Sequence, residues 1–392
     1  MKQLFLFFLS GYIAVQSFAF QGNVSKQPVP DWLDPFPASN PNIEENWPYY
    51  YLDFERQVHL PMQTVFHHYR YQVLTAEGVQ EMSDITIDFD PSFQKLVFHK
   101  IGLERNNRFL DQLDLKKVTS VSTESSTEQH LYDGSMTALF HLDGVQKGDV
   151  IVLSYSIEGF NPVHKGHFST NFYHGFTIPV NHFNYRIFTG NDQEVYFRNI
   201  NLDIEPMVQQ VREAKIYTWT SSPENPVALD DNLPVWTLDL PMTSVSTQKN
   251  WAEVVQWALP LFSSPDKSFR LNGIVDRKLE KKEKVQALIR WVQDEIRYLG
   301  LESGIGAYQP NPPQKVFSQK FGDCKDKSLL LVAFLRKEGV AAFPLLVNTT
   351  YKHNLTQFQP SNIAFDHCVV AINLEGKNYF IDPTIANQGG DL

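Results

Sequence analysis

The chain has 392 residues, is 42% hydrophobic and 13% aromatic, and carries a formal charge of −10 with a pI near 5.6. This length accommodates two domains with full cores, and the apolar content implies packed structure rather than disorder. The acidic balance supplies no basic face for phosphates, so no nucleic-acid partner is expected. Two cysteines cannot make a disulfide framework.

Met1-Lys2, an uncharged run from Leu4 to Val15 and the small-x-small triplet Ser17-Phe18-Ala19 predict a signal peptide over 1–19. The protein is then exported, to the periplasm or beyond. The alternative, a membrane anchor, needs ~20 apolar residues where this run has about a dozen, and no later segment is apolar enough to span. Residues 20–55 hold Pro28, Pro30, Pro35, Pro37 and Pro41 and read as an extended leader.

From 56 to 245 the pattern is of short strands such as Ile85–Phe89, Gln94–Phe98 and Val150–Ile157, rich in β-branched and aromatic residues. Glu77-Gly78, Asp133-Gly134, Asp143-Gly144 and Lys147-Gly148-Asp149 supply turns, so an all-β sandwich is expected. Ten of the twelve histidines lie before residue 246, among them His67, His68, His164, His167 and His174. They lack ligand spacing with Asp, Glu or Cys and read as surface or core residues, so no metal is expected.

Residues 246–392 switch to helices, making the whole chain α+β. Asn250 and Glu253 form a start signal ahead of Trp251, Val254, Val255 and Ala258. Val285, Leu288, Ile289, Val292 and Ile296 mark one face of a second helix. A third is capped by Asp323, carries Cys324 at its first position and Asp326 at its third, and is apolar from Leu329 to Leu335, hence buried centrally. Each half should be compact, with few joining contacts near Thr243 to Lys249.

A helix start favours thiolate, which makes Cys324 a candidate nucleophile titrating below the ~8.5 of a free thiol. His367 opens a strand, and Tyr379–Asp382 reads as its hairpin partner. With a loop of two residues (Glu375, Gly376) or four, Asp382 lies opposite Val369 and shares a face with His367, as a carboxylate orienting an imidazole must. A three-residue loop would separate them. The alternation puts Cys368 on the other face, which weighs against the alternative of a Cys324–Cys368 disulfide. His353 reads as loop.

The segments Ile296–Glu302, Ala307-Tyr308-Gln309-Pro310, Phe321–Leu331 and Phe380–Thr384 resemble the bacterial transglutaminase-like proteins, and the β-rich segment before them resembles the DUF3857 domain that commonly precedes that core. The resemblance spans about residues 55 to 390. It implies a papain-like fold with the Cys-bearing helix packed on an antiparallel sheet, Cys324 as nucleophile, His367 as base and Asp382 as orienting acid. Asp366 stands where relatives often have Asn. Such proteins usually continue further past the aspartate than this chain does.

Together these point to exported cysteine-dependent acyl transfer on a protein or peptide amide, through a thioester and without a cofactor. Oxyanion donors are expected in the backbone N–H of Cys324 and the side chain of Gln309 or Tyr308. The alternative is a non-catalytic envelope module that binds through the sandwich and uses the core as scaffold.

Overall fold

Strands of nine to eleven residues, Tyr49–His59, Thr64–Val73, Lys95–Arg105 and Val150–Glu158, lie side by side at the centre of a nine-stranded sheet in a computed structural model of the chain. Residues 22–38, 41, 47–123, 131–132, 134–190, 192–212, 214–223, 225–230, 232–263 and 274–392 are described; the expected signal peptide lies outside them. Along Val150–Glu158 the side chains of Ile151, Leu153, Tyr155 and Ile157 belong to one core, while Ser154 and Ser156 face the other way, the period-two signature of a strand.

The sheet is eight strands across, with Arg108–Asp111 sharing an edge of Lys95–Arg105 with the N-terminal strand, and at ~4.8 Å spacing it is too wide for one small sheet to cover. Two three-stranded sheets do so instead. One comprises Asp84–Phe89, Met136–His141 and Thr119–Ser122; the other comprises Ser169–Tyr173, Met242–Ser246 and Tyr196–Ile200. Two cores result, one around Ile87, Phe98, Phe140 and Ile151, the other around Phe172, Phe183, Tyr185 and Trp219. The expected single sandwich is thus two covers on one continuous sheet.

The leader is extended but not detached. Val24–Lys26 adds a parallel edge strand to Leu96–Phe98, Trp32 meets Phe188 edge-on at 5.4 Å, and the Arg186 guanidinium lies 4.3 Å over Phe36. Strands Tyr49–His59 and Met242–Ser246 run across the boundaries expected at 55/56 and 245/246.

The C-terminal half is built on the helix Cys324–Lys337. Leu330, Leu331, Phe334 and Leu335 are all fully buried, wedged between the helix Lys281–Glu295 and an antiparallel sheet of Ala341–Val347, His367–Leu374 and Lys377–Ile381. Truncating one such leucine to alanine costs ~2–5 kcal/mol. This rigid core fixes where the helix start points.

The two halves are not joined by few contacts, contrary to expectation. Leu131–Tyr132 of the β half pairs with Gly300–Leu301 of the helical half, and Glu302 N–H donates to Tyr132 O at 2.7 Å. Trp257 Nε1 donates to Val163 O, Asn161 Nδ2 to Gly304 O, and Asn354 Nδ2 to Trp236 O, each at 2.8 Å. Val163 shares an apolar cluster with Trp257 and Leu261, and Met242 another with Phe358. These pairings join residues from 94 to 170 positions apart, which local patterning does not register.

Candidate active site

The segment from Gly322 to Ser328 positions the helix start through a different contact at almost every residue. Asp323 caps the helix, its Oδ1 accepting from Asp326 N–H at 3.0 Å. Asp326 in turn accepts from both the backbone and side-chain N–H groups of Asn311, at 2.6 and 3.0 Å. A side chain at Gly322 would lie 2.6 Å from Asp326 Cβ, so only glycine allows this close approach. Lys327, fully buried, donates to the carbonyls of Gln293 and Ile296 at the end of the helix Lys281–Glu295. Ser328 Oγ donates to Cys368 O at 2.9 Å, tying helix to sheet.

Cys324 therefore sits at the first helical position on a braced turn, 8% exposed. Burial raises its pKa and the Asp323 carboxylate adds to the rise, while the hydrogen bond with His367 and the charge of Lys325 oppose it. The net direction is upward. This runs against the expectation of a thiol below its ordinary range: removing the sulfur from water outweighs the bond to His367 and the charge of Lys325. Cys324 and Cys368 are both free thiols, and Cys368 packs on the buried side of its strand with Val370 and Ile372.

The hairpin has the register that the face argument requires. Leu374 pairs with Lys377 across Glu375 and Gly376, whose φ values of 54° and 80° define a primed two-residue turn, and Val370 pairs with Ile381. Continuing one step places Asp382 opposite Val369, diagonal to His367. His367 Nε2 and Asp382 Oδ2 are 2.9 Å apart, while Asp382 Oδ1 accepts from Thr384 N–H and Oγ1 at 2.9 and 2.6 Å. With Nε2 engaged by Asp382, Nδ1 is left for the hydrogen bond to Cys324. Bonds to Asp382 and then Cys324 push His367 up to about 10 against the opposing effect of burial. For Asp382, burial acts upward, yet the bonds from His367 and Thr384 leave it below the usual carboxylate range.

Three further groups that carry no signal of their own in the sequence crowd the site. Lys325 pairs with Asp323 and with Glu302, the latter at 3.1 Å, in a buried cluster where burial pushes Glu302 up to about 7. Tyr298 is held in its phenol form by burial, with Cys324, Glu302, Asp323 and Asp382 all acting in the same direction. It is placed by a two-residue strand pairing Arg297-Tyr298 with Phe321-Gly322, too short to leave an alternating pattern.

Cys324 and His367 line a cavity of about 300 Å³ together with Trp257, Glu302, Tyr308 and Phe365. Of the two side chains expected to serve an oxyanion, Tyr308 lines it and Gln309 does not: side chains of adjacent residues diverge, and that of Gln309 is exposed. His164, from the β half, packs against Tyr308 at 4.7 Å between ring centres and lies 2.6 Å by Nδ1 from Asn362 Nδ2. His353 is exposed in a short 3₁₀ helix. Among the described residues no group of three His, Cys, Asp or Glu side chains is placed to hold a metal.

A β-rich N-terminal domain followed by a cysteine-bearing helix on an antiparallel sheet is a mixed α+β architecture, and comparison with known proteins agrees with it. Residues 62–228 match the family DUF3857, a domain of unknown function, and residues 270–381 match the transglutaminase-like superfamily. The chain belongs with proteins that join a DUF3857 domain to a transglutaminase-like domain. The crystal structure of a candidate protease from Parabacteroides distasonis superposes with a TM-score of 0.71 at 15% identity, over 85% of this chain and 67% of that one, and shows the shared fold. A candidate cysteine protease from Cytophaga hutchinsonii (12% identity, 56% and 78% coverage) and a TGase (13%, 54% and 53%) have TM-scores of only 0.25 and 0.22. No curated protein matches the chain.

Proposed function

We propose that the protein is an exported enzyme that transfers acyl groups from a peptide or protein amide through Cys324, with His367 as proton carrier and Asp382 as its orienting acid. The observation that carries the reading is the chain of contacts from Cys324 to His367 to Asp382 beside one cavity. Membership of the transglutaminase-like superfamily supports cysteine-dependent action on amides.

The reactive form is the pair with one proton, Cys324 thiolate beside His367 imidazolium. Sulfur attacks the amide carbonyl, and the oxyanion meets the first-turn N–H of Cys324, which has no acceptor within the helix by position. His367 gives its proton to the departing amine as the C–N bond breaks, leaving a thioester and a neutral ring. Water or a second amine attacks the thioester, gives its proton to His367, and releases the thiolate. Asp382 holds the ring so that one nitrogen faces sulfur throughout.

The depth of Cys324 favours a second reading, in which the helical domain is an inert scaffold for the β domain. p-Nitrophenyl acetate separates the two. The enzyme should acquire an acetyl group on the Cys324 peptide with a burst of nitrophenolate, lost in His367→Ala. Acetylation of Cys324 no faster than of Cys368 in folded protein would favour the scaffold.

A further inference from the structure

The two small sheets leave a gap over the nine-stranded sheet. A second cavity, of about 380 Å³, lies there, lined by Arg56, Val65 and Ile157 of the large sheet. Glu302, Ala307, Tyr308 and Asn362 line both this cavity and the one at Cys324, so the two are neighbours that share a wall.

Arg56 is the unusual group in it. Arg70, Arg105 and Arg186 of the same sheet each pair with a carboxylate, at 2.7, 2.6 and 3.2 Å. Among the described residues Arg56 pairs with none, and its Nε is buried with no hydrogen-bond partner. Its guanidinium sits 5.8 Å over the Phe172 ring, and its strand neighbours are His67 and Tyr185. A cation held among aromatic rings without an anion is costly, and the cost falls when a carboxylate arrives in bidentate geometry.

The other ionisable groups lining the cavity are already engaged or neutral. Asp90 accepts from Ser92 N–H at 2.8 Å and Gly304 N–H at 3.2 Å, and Glu302 is tied to Lys325. Burial lowers His164 to about 4 and pulls His167 down as well, so neither ring adds charge at neutral pH. Arg56 is left as the cation of the cavity among the described residues.

We infer that this second cavity is a carboxylate subsite, in which Arg56 of the β domain receives an acidic group of the peptide whose amide reaches Cys324. The inference rests on the acyl-transfer reading for its substrate and assigns the β domain a direct part in choosing it. Each domain then contributes one half of the recognition: the carboxylate is read by the sheet, the amide by the helix start.

The test uses iodoacetyl-oligoglycine probes of one to four residues, each made as the free acid and as its methylamide, and reads the rate of Cys324 alkylation by peptide mass spectrometry. At one tether length the acid should outpace the methylamide by about ten- to hundredfold, the range of a charge-assisted hydrogen bond. That ratio should fall toward unity in Arg56→Gln and be partly kept in Arg56→Lys. A terminally amidated probe bearing one glutamate tells a side-chain carboxylate from a chain terminus. A ratio near one at every length in the wild type, for terminal and side-chain acids alike, or a preference undiminished in a folded Arg56→Gln, overturns the subsite. Because the ratio is read at any absolute rate, a sluggish Cys324 would strike the acyl-transfer reading and leave this one standing.

Discussion

Replacing Asp382 by asparagine removes one charge and keeps the shape, and the hydrogen bonds around it dictate how the new side chain sits. Asp382 Oδ1 already accepts from Thr384 N–H and Oγ1, so the asparagine keeps its oxygen there and turns its NH₂ toward His367. His367 Nε2 must then accept, which places the ring proton on Nδ1, facing Cys324, where the ring can no longer take a proton. At about 1.4 kcal/mol per pKa unit, the rise of His367 from 6.5 to about 10 corresponds to ~5 kcal/mol shared between Asp382 and Cys324. Allowing for a ring that is 17% exposed, the carboxylate's share is roughly 2–3 kcal/mol. Since the folded pKa lies above the unfolded one, this stabilisation is fully present below about pH 6.5 and is lost as pH rises through 10. Wild type should therefore exceed Asp382→Asn in unfolding free energy at pH 6 and converge on it above pH 10. Acylation of Cys324 should fall about 10²- to 10⁴-fold. Guanidinium unfolding at several pH values, an NMR titration of His367 and the nitrophenyl ester burst provide the measurements. A His367 midpoint unchanged by the substitution would refute the reasoning, because the carboxylate would then not be what holds the proton.

Three other outcomes rest on the same geometry. Lys325→Met strands Asp323 and Glu302 as buried carboxylates, and denaturant unfolding near neutral pH should show a loss of ~3–5 kcal/mol. Cys324 and His367 are both shifted upward, so at neutral pH the pair holds two protons; iodoacetamide should react with Cys324 progressively faster as pH rises, by about tenfold per unit toward pH 9, and a plateau reached below pH 7 would contradict the shifts. A fragment from 246 onward exposes Trp257 and Phe358 and loses the strand partner of Gly300–Leu301, so dilution from denaturant should yield aggregate or a species without near-UV circular dichroism, whereas a soluble, cooperatively unfolding fragment would show the halves to be independent.

The features legible in the sequence are local ones. The cap at Asp323 is set by one side chain accepting the backbone N–H three residues on, and the hairpin register by two turn residues, so His367 and Asp382 can be placed on one face without knowing the rest of the fold. The features that are not legible depend on distant partners. Nothing near Lys325 announces that Glu302 will reach it, and nothing near Lys327 announces that its ammonium will cap the helix Lys281–Glu295. His164 and Arg56 of the β half meet Glu302 and Tyr308 of the helical half around the second cavity, brought there by a short strand pair, side-chain to backbone bonds and shared apolar clusters that leave no periodic trace. The thiol shift departs from its sequence expectation for a related reason: its largest cause is the depth of the sulfur, which is set by the whole core and not by the residues beside it.

The most direct test compares the two cysteines of one folded molecule. Iodoacetamide alkylation, followed peptide by peptide between about pH 6 and 10, should proceed on Cys324 at least about a hundredfold faster than on buried Cys368 and drop sharply in His367→Ala. Equal rates at the two thiols, or a Cys324 rate indifferent to the loss of His367, would contradict the claim that Cys324, His367 and Asp382 act as one catalytic unit.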